Sequence, residues 1–191
     1  MHIGLFFGSF NPVHIGHMAL ANYMASFTEL DQVWFVVSPH NPLKEKVSLL
    51  DQNQRLHMVN AAIGDNPKMR SSNIEFSLPQ PSYTVNTLAH LTEKYPNHTF
   101  SLIIGEDNLV SFTKWKNFEH ILKHHQLFVY PRPNCEKSEL LDHPNVVMTE
   151  TPLMEISSTF IRNALKLKKD VSFFVPLAVW QYIDEMTFYR K

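Results

Sequence analysis

Short apolar runs alternate with longer helical segments along most of the chain, and this alternation limits the fold more than any other feature. Residues 2–7 and 32–37 each have the pattern of a buried strand, and residues 15–27 between them have that of a helix. Strands joined by helices of this length form β-α-β units with parallel strands. The pattern therefore predicts an α/β fold, a doubly wound, Rossmann-like parallel sheet flanked by helices.

The rest of the chain continues the alternation. Asp51 is predicted to cap a helix that ends at Ile63, and Pro176 is predicted in the first turn of the last helix. Residues 38–50 are predicted to form a polar loop. The other predicted strands are residues 72–78, 99–104, 126–130 and 146–149, and the other helices are residues 83–94, 118–123, 158–168 and 176–186. No repeat or linker interrupts them, so we expect one domain over residues 1–191.

Composition excludes several classes of function. The formal net charge is −1, so the chain as a whole does not attract nucleic acid or anionic membranes, and no basic tail is present. The N-terminal residues lack a basic leader, and no stretch reaches the roughly 18 to 20 apolar residues that span a bilayer. The single cysteine, Cys135, suits a reducing compartment and has no activating base nearby. We expect a cytoplasmic protein with no nucleic-acid or membrane partner.

The segment from Gly8 to His17 follows the first strand, GSFNPVHIGH. Ligands of open α/β sheets bind beyond the carboxyl ends of the strands. His14 and His17 are three residues apart at the start of a helix, Gly16 leaves room between them, and the free N–H groups there favour an anion. Alternatively, His14 and His17 are ordinary surface residues or two ligands of a metal ion. No third ligand has metal-site spacing, so the segment favours phosphate and predicts no dedicated metal site.

A second anion-binding segment is predicted near the C-terminus, at residues 156–162, ISSTFIR. Ser157 and Ser158 are good helix N-caps, and Arg162 lies one turn inside the helix. An ordinary surface arginine is the alternative. The lysines that follow, Lys166, Lys168 and Lys169, are expected to form a solvated face.

These two segments carry a family resemblance. His14–His17 resembles the H-x-G-H element of the nucleotidyltransferase superfamily, and residues 156–162 are similar to its I-S-S-T-x-I-R element. Three further segments resemble the nicotinate-nucleotide adenylyltransferases within that superfamily. They are PSYT at residues 81–84, IIGED at residues 103–107 with the downstream Trp115, and RP at residues 132–133.

The resemblance implies that the chain condenses ATP with nicotinate mononucleotide, giving deamido-NAD and pyrophosphate by direct in-line attack at the α-phosphorus. Mg²⁺ would arrive with ATP. The residues implied to be catalytic are His14, His17, Lys44 and Arg162. Those implied to bind ATP are Gly8, Ser9, Phe10, His14, His17, Gly105, Asp107, Ile156, Ser157, Ser158 and Arg162.

Three residues are implied to bind nicotinate mononucleotide. Trp115 would stack on the pyridine ring, or is a core tryptophan. Thr84 would face the ring carboxylate, or is simply an early helix residue. Arg132 would pair with the phosphate, or closes a turn.

The chain departs from the family pattern at three places. Phe7 stands where many members have glycine, Asn11 replaces the commoner aspartate, and the loop around Lys44 is a residue shorter than usual. Phosphopantetheine or nicotinamide mononucleotide adenylyltransferases are alternatives within the superfamily. Alternatively, the chain is not an enzyme but a nucleotide sensor with the same fold. The oligomeric state stays open.

Overall fold

Parallel strands form the centre of the fold. The computed structural model describes residues 1–39 and 49–190, and within them one six-stranded sheet has the order β3-β2-β1-β4-β5-β6, with every neighbouring pair parallel. The strands are β1 His2–Gly8, β2 Gln32–Val37, β3 Met69–Ser72, β4 Thr99–Gly105, β5 Leu127–Tyr130 and β6 Val146–Met148. This is the strand order of a doubly wound sheet, so the predicted fold class is confirmed.

Both faces of the sheet are buried because successive side chains of a strand point to opposite faces. In β2, Phe35 packs on one face while Trp34 and Val36 pack on the other. The helices are α1 Ile15–Phe27, α2 Gln52–Ile63, α3 Thr84–Lys94, α4 Glu106–Val110, α5 Phe118–His124, α6 Ser158–Lys166 and α7 Leu177–Glu185. Core residues of α1, α2, α6 and α7 cover the first face, and those of α3, α4 and α5 cover the second.

Local signals explain where several helices begin and end. The Asp51 side chain accepts a hydrogen bond from the Asn53 N–H at 2.8 Å, so the predicted cap of α2 is confirmed. Helix α6 ends two residues earlier than predicted, because Lys168 adopts φ 55° and turns the chain out of the helix. Pro176 is the N-cap of α7 rather than a residue of its first turn.

The strand predicted over residues 72–78 is wrong. The edge strand β3 lies earlier, at Met69–Ser72, and Ile74–Ser77 forms a short 3₁₀ helix. The apolar residues Ile74 and Phe76 alternate with polar ones, which is the pattern of a strand. The actual strand, β3, is polar because it lies at the edge of the sheet and hydrogen-bonds to one neighbouring strand only. Helix α4 was not predicted at all. The single-domain organisation of residues 1–191 stays a prediction.

Candidate active site

A cavity of about 1,030 Å³ opens at the carboxyl ends of the central strands. Gly8 at the end of β1, Gly105 at the end of β4 and Tyr130 at the end of β5 line it. Strands β1 and β4 are neighbours although β2 and β3 lie between them in the chain. The cavity therefore lies at the switch point of the sheet, where ligands of doubly wound folds bind.

Every predicted site residue that the structure describes lines this one cavity. They are Gly8, Ser9, Phe10, His14, His17, Thr84, Gly105, Asp107, Trp115, Arg132, Ile156, Ser157, Ser158 and Arg162. Lys44 lies outside the described residues. Segments up to about 150 residues apart in sequence thus meet, although their individual roles stay predictions.

The loop between β1 and α1 is held by an aromatic side chain. Phe10 is 2% exposed, and its ring lies 5.4 Å from Phe35 and 5.1 Å from His17, centroid to centroid. A Cβ on Gly8 would lie 2.8 Å from the Phe10 ring. Glycine is required at position 8 because the Phe10 ring packs against its backbone. The positive φ of this loop belongs to Phe10, at 45°.

His14 and His17 stack on each other at the start of α1. Their ring centroids are 3.6 Å apart, with an angle of 27° between the planes. The backbone N–H of His14 donates to Nδ1 of His17 at 3.2 Å. Because Nδ1 accepts this bond, we assign the proton of a neutral His17 ring to Nε2. No acidic residue occupies the first turn of α1, so the positive end of its dipole is not neutralised locally.

His14 is a neutral ring at neutral pH. It is 4% exposed, and burial, followed by the positive charge of Arg132, lowers its pKa from 6.5 to about 4. A neutral imidazole can still donate one hydrogen bond to a phosphate oxygen, but it adds no charge. His14 therefore contributes no positive charge to the site at neutral pH, whereas Arg132 and Arg162 do.

Acid should destabilise the fold through His14. Between pH 6.5 and about 4 the unfolded chain binds a proton at His14 that the folded chain does not, so the free energy of unfolding falls as pH falls. A shift of this size amounts to about 3 kcal/mol, all of it lost by pH 4. We expect the Tm to fall more between pH 7 and 5 in the wild type than in His14→Gln.

Thermal unfolding by circular dichroism at several pH values measures this difference. Burial also lowers the pKa of His125, but His125 is present in both proteins and cancels from the comparison. Equal pH slopes in the two proteins would show that His14 is not the group responsible.

The start of α6 is bonded directly to the loop after β1. Ser157 caps the helix, its hydroxyl accepting from the Phe160 N–H at 3.2 Å, so one of the two predicted caps is confirmed. The Ser158 hydroxyl donates to the Pro12 carbonyl at 2.9 Å. Arg162 donates from one guanidinium nitrogen to the Asn11 carbonyl at 2.9 Å. The N-terminal ends of α1 and α6 consequently converge on the same cavity.

A buried hydrogen-bond network that the sequence did not predict supports this loop. Arg55 is fully buried and donates four bonds of 2.6–2.9 Å to backbone carbonyls, those of Ser9, Ser38, Pro39 and Leu50. Asn11 accepts on its side-chain oxygen from the Tyr189 hydroxyl at 2.7 Å and from the Leu50 N–H at 3.3 Å. The acceptor oxygen that an aspartate would offer at position 11 is thus retained by asparagine.

Asp107 and Arg132 lie together on the β4–β5 side of the cavity. Their side chains are 3.5 Å apart, and the Arg132 N–H donates to the Glu106 carboxylate at 3.2 Å. A Cβ on Gly105 would displace the Asp107 carboxylate, so a larger residue there would disturb the Asp107–Arg132 pair. Two residues predicted to bind different substrates are therefore neighbours.

Trp115 and Thr84 line the end of the cavity formed by α3 and the segment before α5, which cover the second face of the sheet, whereas α1 and α6 cover the first. Trp115 is half-buried and contacts the core residue Phe112, at 5.0 Å between ring centroids, so it is neither fully buried nor a free surface residue. Thr84 is the first residue of α3. Two residues there were missed by sequence reasoning, Lys116, whose ammonium lies 4.4 Å from the Tyr83 ring centroid, and the buried Glu75.

Residues 1–39 and 49–190 contain neither a metal-binding cluster nor a membrane-spanning helix. No group of three or more histidine, cysteine, aspartate or glutamate side chains is arranged to hold a metal ion within these ranges. None of the helices described there is long and apolar enough to cross a membrane.

Comparison with known proteins gives consistent matches over the whole chain. A family model described as cytidylyltransferase-like matches residues 5–164. The chain is 56% identical to a probable nicotinate-nucleotide adenylyltransferase of Flavobacterium psychrophilum and 55% identical to one of Cytophaga hutchinsonii, each match covering 100% of both chains. A Plasmodium falciparum nicotinic acid mononucleotide adenylyltransferase complexed with NaAD has a similar fold, with a TM-score of 0.81 at 21% identity over 98% of this chain and 97% of that one.

Proposed function

The chain belongs to the cytidylyltransferase-like family and, within it, to the nicotinate-nucleotide adenylyltransferases, and from this premise we propose that it transfers the adenylyl group of ATP to nicotinate mononucleotide. The products are nicotinate adenine dinucleotide and pyrophosphate. The reaction belongs to the synthesis of NAD. A cytoplasmic location stays a prediction that rests on the single cysteine.

The observation that carries this proposal is the arrangement of one cavity with two chemically different ends. At one end, two helix N-termini, the stacked histidines and Arg162 favour a polyphosphate. At the other end, Trp115 and Thr84 offer an aromatic face and a hydroxyl. A volume of about 1,030 Å³ is at the upper end for a single small-molecule site, which fits two substrates held side by side.

In the proposed complex the chain's own residues position the reactants and stabilise charge. An oxygen of the mononucleotide phosphate forms a bond to the α-phosphorus, the bond from that phosphorus to the β-bridging oxygen breaks, and pyrophosphate leaves. His17, through the proton on Nε2, and the neutral His14 would donate to the α-phosphoryl oxygens as negative charge builds there. Arg162 and the N–H groups at the start of α6 would hold the β- and γ-phosphates, with Lys44 as a further predicted cation.

No covalent enzyme intermediate is part of this proposal. The thiol of Cys135 has a raised pKa, through burial and then the nearby carboxylates of Glu106 and Asp107, which makes it a weak nucleophile at neutral pH. Mg²⁺ would enter bound to the phosphates of ATP and neutralise part of their charge.

The end of the cavity lined by Trp115 and Thr84, here called the mononucleotide end, would bind the second substrate. Trp115 would stack on the cationic pyridine ring, and Thr84 with the N–H groups at the start of α3 would face the ring carboxylate. Arg132 would pair with the mononucleotide phosphate beside Asp107. We place adenosine next to Gly105 and Asp107.

Trp115→Ala is expected to raise the KM for nicotinate mononucleotide by about tenfold, because an aromatic–cation contact contributes roughly 1 to 2 kcal/mol. The KM for ATP should change much less. Steady-state kinetics with each substrate varied in turn measure both values. Trp115→Phe, which keeps an aromatic face, serves as the matched control. An effect confined to the KM for ATP would overturn this placement of the ring.

The substrate assignment is tested by pyrophosphate release with ATP and either the acid or the amide mononucleotide. We expect turnover with nicotinate mononucleotide and a lower kcat/KM with nicotinamide mononucleotide. A clear preference for the amide would replace the proposed substrate, whereas ATP binding without turnover on either would favour a nucleotide sensor.

A further inference from the structure

A buried carboxyl group lies at the mononucleotide end of the cavity. Glu75, in the 3₁₀ helix Ile74–Ser77, is 3% exposed and yet lines the cavity. Neither of the two ion pairs found in the described residues involves it. Burial raises its pKa, and hydrogen bonds from hydroxyl groups oppose that rise. A buried carboxyl without a cation is costly, so its retention calls for an explanation.

The hydrogen-bond partner of the Glu75 carboxylate is a hydroxyl group of the next helix. The Thr87 hydroxyl of α3 lies 2.9 Å from Oε1 of Glu75. The hydroxyls of Ser38, after β2, and Ser82, before α3, also oppose the rise in the pKa of this carboxyl. The Glu75 side chain thereby joins the 3₁₀ helix to α3.

The turn held by these bonds is the one that presents Thr84. The backbone N–H of Thr87 donates to the Tyr83 carbonyl at 3.2 Å, so the residue bonded to Glu75 is also bonded to the residue before Thr84. The Glu75 carbonyl accepts from the Gln80 side chain at 3.1 Å, which fixes the start of the same turn. Tyr83 has no side-chain capping bond of its own as N-cap of α3. The position of this turn therefore depends on contacts from outside it.

We propose that Glu75 is a positioning residue for the second substrate, holding the Ser82–Thr84 turn where it can meet the ring substituent of the mononucleotide. This rests on the proposed function. Because the Glu75 carboxylate is bonded to Thr87 of α3, it would act through the start of that helix rather than by binding the substrate. Its removal should impair mononucleotide binding selectively, because the triphosphate end is built from α1 and α6.

Glu75→Ala and Glu75→Gln test the proposal together. The amide of glutamine keeps the shape and can still bond to the Thr87 hydroxyl, whereas alanine leaves that hydroxyl without its partner. We expect Glu75→Ala to raise the Kd and the KM for nicotinate mononucleotide by about tenfold, with the KM for ATP within about twofold of the wild type. Glu75→Gln should recover most of the loss.

Two further variants keep the test decisive. Thr87→Val replaces the buried hydroxyl by a methyl group of similar size and should raise the mononucleotide KM in the same selective way, even if Glu75→Ala fails to fold. Ser77→Ala removes an exposed hydroxyl from the same 3₁₀ helix and should behave as the wild type.

The measurements are calorimetric titration with nicotinate mononucleotide, steady-state kinetics and thermal unfolding. Equal rises in both KM values, or a Glu75→Gln variant as impaired as Glu75→Ala, would make Glu75 an ordinary structural residue and overturn the proposal. If the wild type itself does not bind nicotinate mononucleotide, the proposed function fails instead, and the two failures are thus distinguishable.

Discussion

Replacing His17 with alanine is expected to lower kcat by about 100- to 1,000-fold, the usual effect of removing a donor that stabilises developing charge. The reason is geometric. The Nδ1 atom of His17 is taken by the backbone N–H of His14 at 3.2 Å, which leaves Nε2 as the proton-bearing atom, and the ring is held by stacking on His14. Such a donor is oriented before the substrate arrives, so it stabilises the transition state without reorganisation.

The kcat of His17→Ala should be measured at saturating ATP and mononucleotide, beside its Tm. His124→Ala is a matched control, because His124 is exposed at the end of α5 and outside the cavity. A variant that folds normally and retains wild-type kcat would exclude His17 from catalysis. A variant that no longer folds would make His17 a structural residue.

Arg162→Ala is expected to lower kcat/KM for ATP by about 100-fold, because charge-assisted bonds to phosphate contribute roughly 1.5 to 3 kcal/mol. The guanidinium already donates to the Asn11 carbonyl and, at 3.2 Å, to the Thr159 hydroxyl. Five N–H groups are available on arginine, so these two bonds orient it and leave others for the triphosphate. Loss of the Asn11 contact should also lower the Tm by about 2–4 °C.

Steady-state kinetics with ATP as the varied substrate measure this effect. Lys166→Ala is the matched control, since it removes one positive charge one turn further along α6, from an exposed position. Arg162→Lys should remain impaired, because an ammonium cannot reproduce the forked geometry. If Lys166→Ala lowered kcat/KM as much as Arg162→Ala, general electrostatic attraction would replace a specific contact as the explanation.

The sheet and most helices were predictable because their signals are local. Helix α1 and strand β2 have the predicted bounds, and each combines a continuous apolar pattern with a clear boundary residue. The error at residues 72–78 has the opposite cause. An edge strand needs little apolar surface, so β3 carries Arg70, Ser71 and Ser72, while the apolar alternation after it belongs to a 3₁₀ helix that buries Ile74.

Some residues of the site could likewise be predicted from local sequence patterns, and others could not. Residues within short motifs, such as His14, His17 and Arg162, could be selected because several residue types recur at fixed spacing. Arg55, Glu75 and Tyr189 could not, because each is a single polar residue whose importance comes from burial against segments distant in the chain. The low pKa of His14 was equally hidden, since it follows from burial and from Arg132, more than 100 positions away.

Transfer of a label from the α-phosphorus of ATP tests the central claim most directly. The purified chain would be incubated with ATP labelled at that position, Mg²⁺ and nicotinate mononucleotide, and the products separated. We predict that the label appears in nicotinate adenine dinucleotide, in one-to-one amount with released pyrophosphate, and never on the protein. Label in free AMP or ADP, label on the protein, or no consumption of ATP would contradict adenylyl transfer at this site.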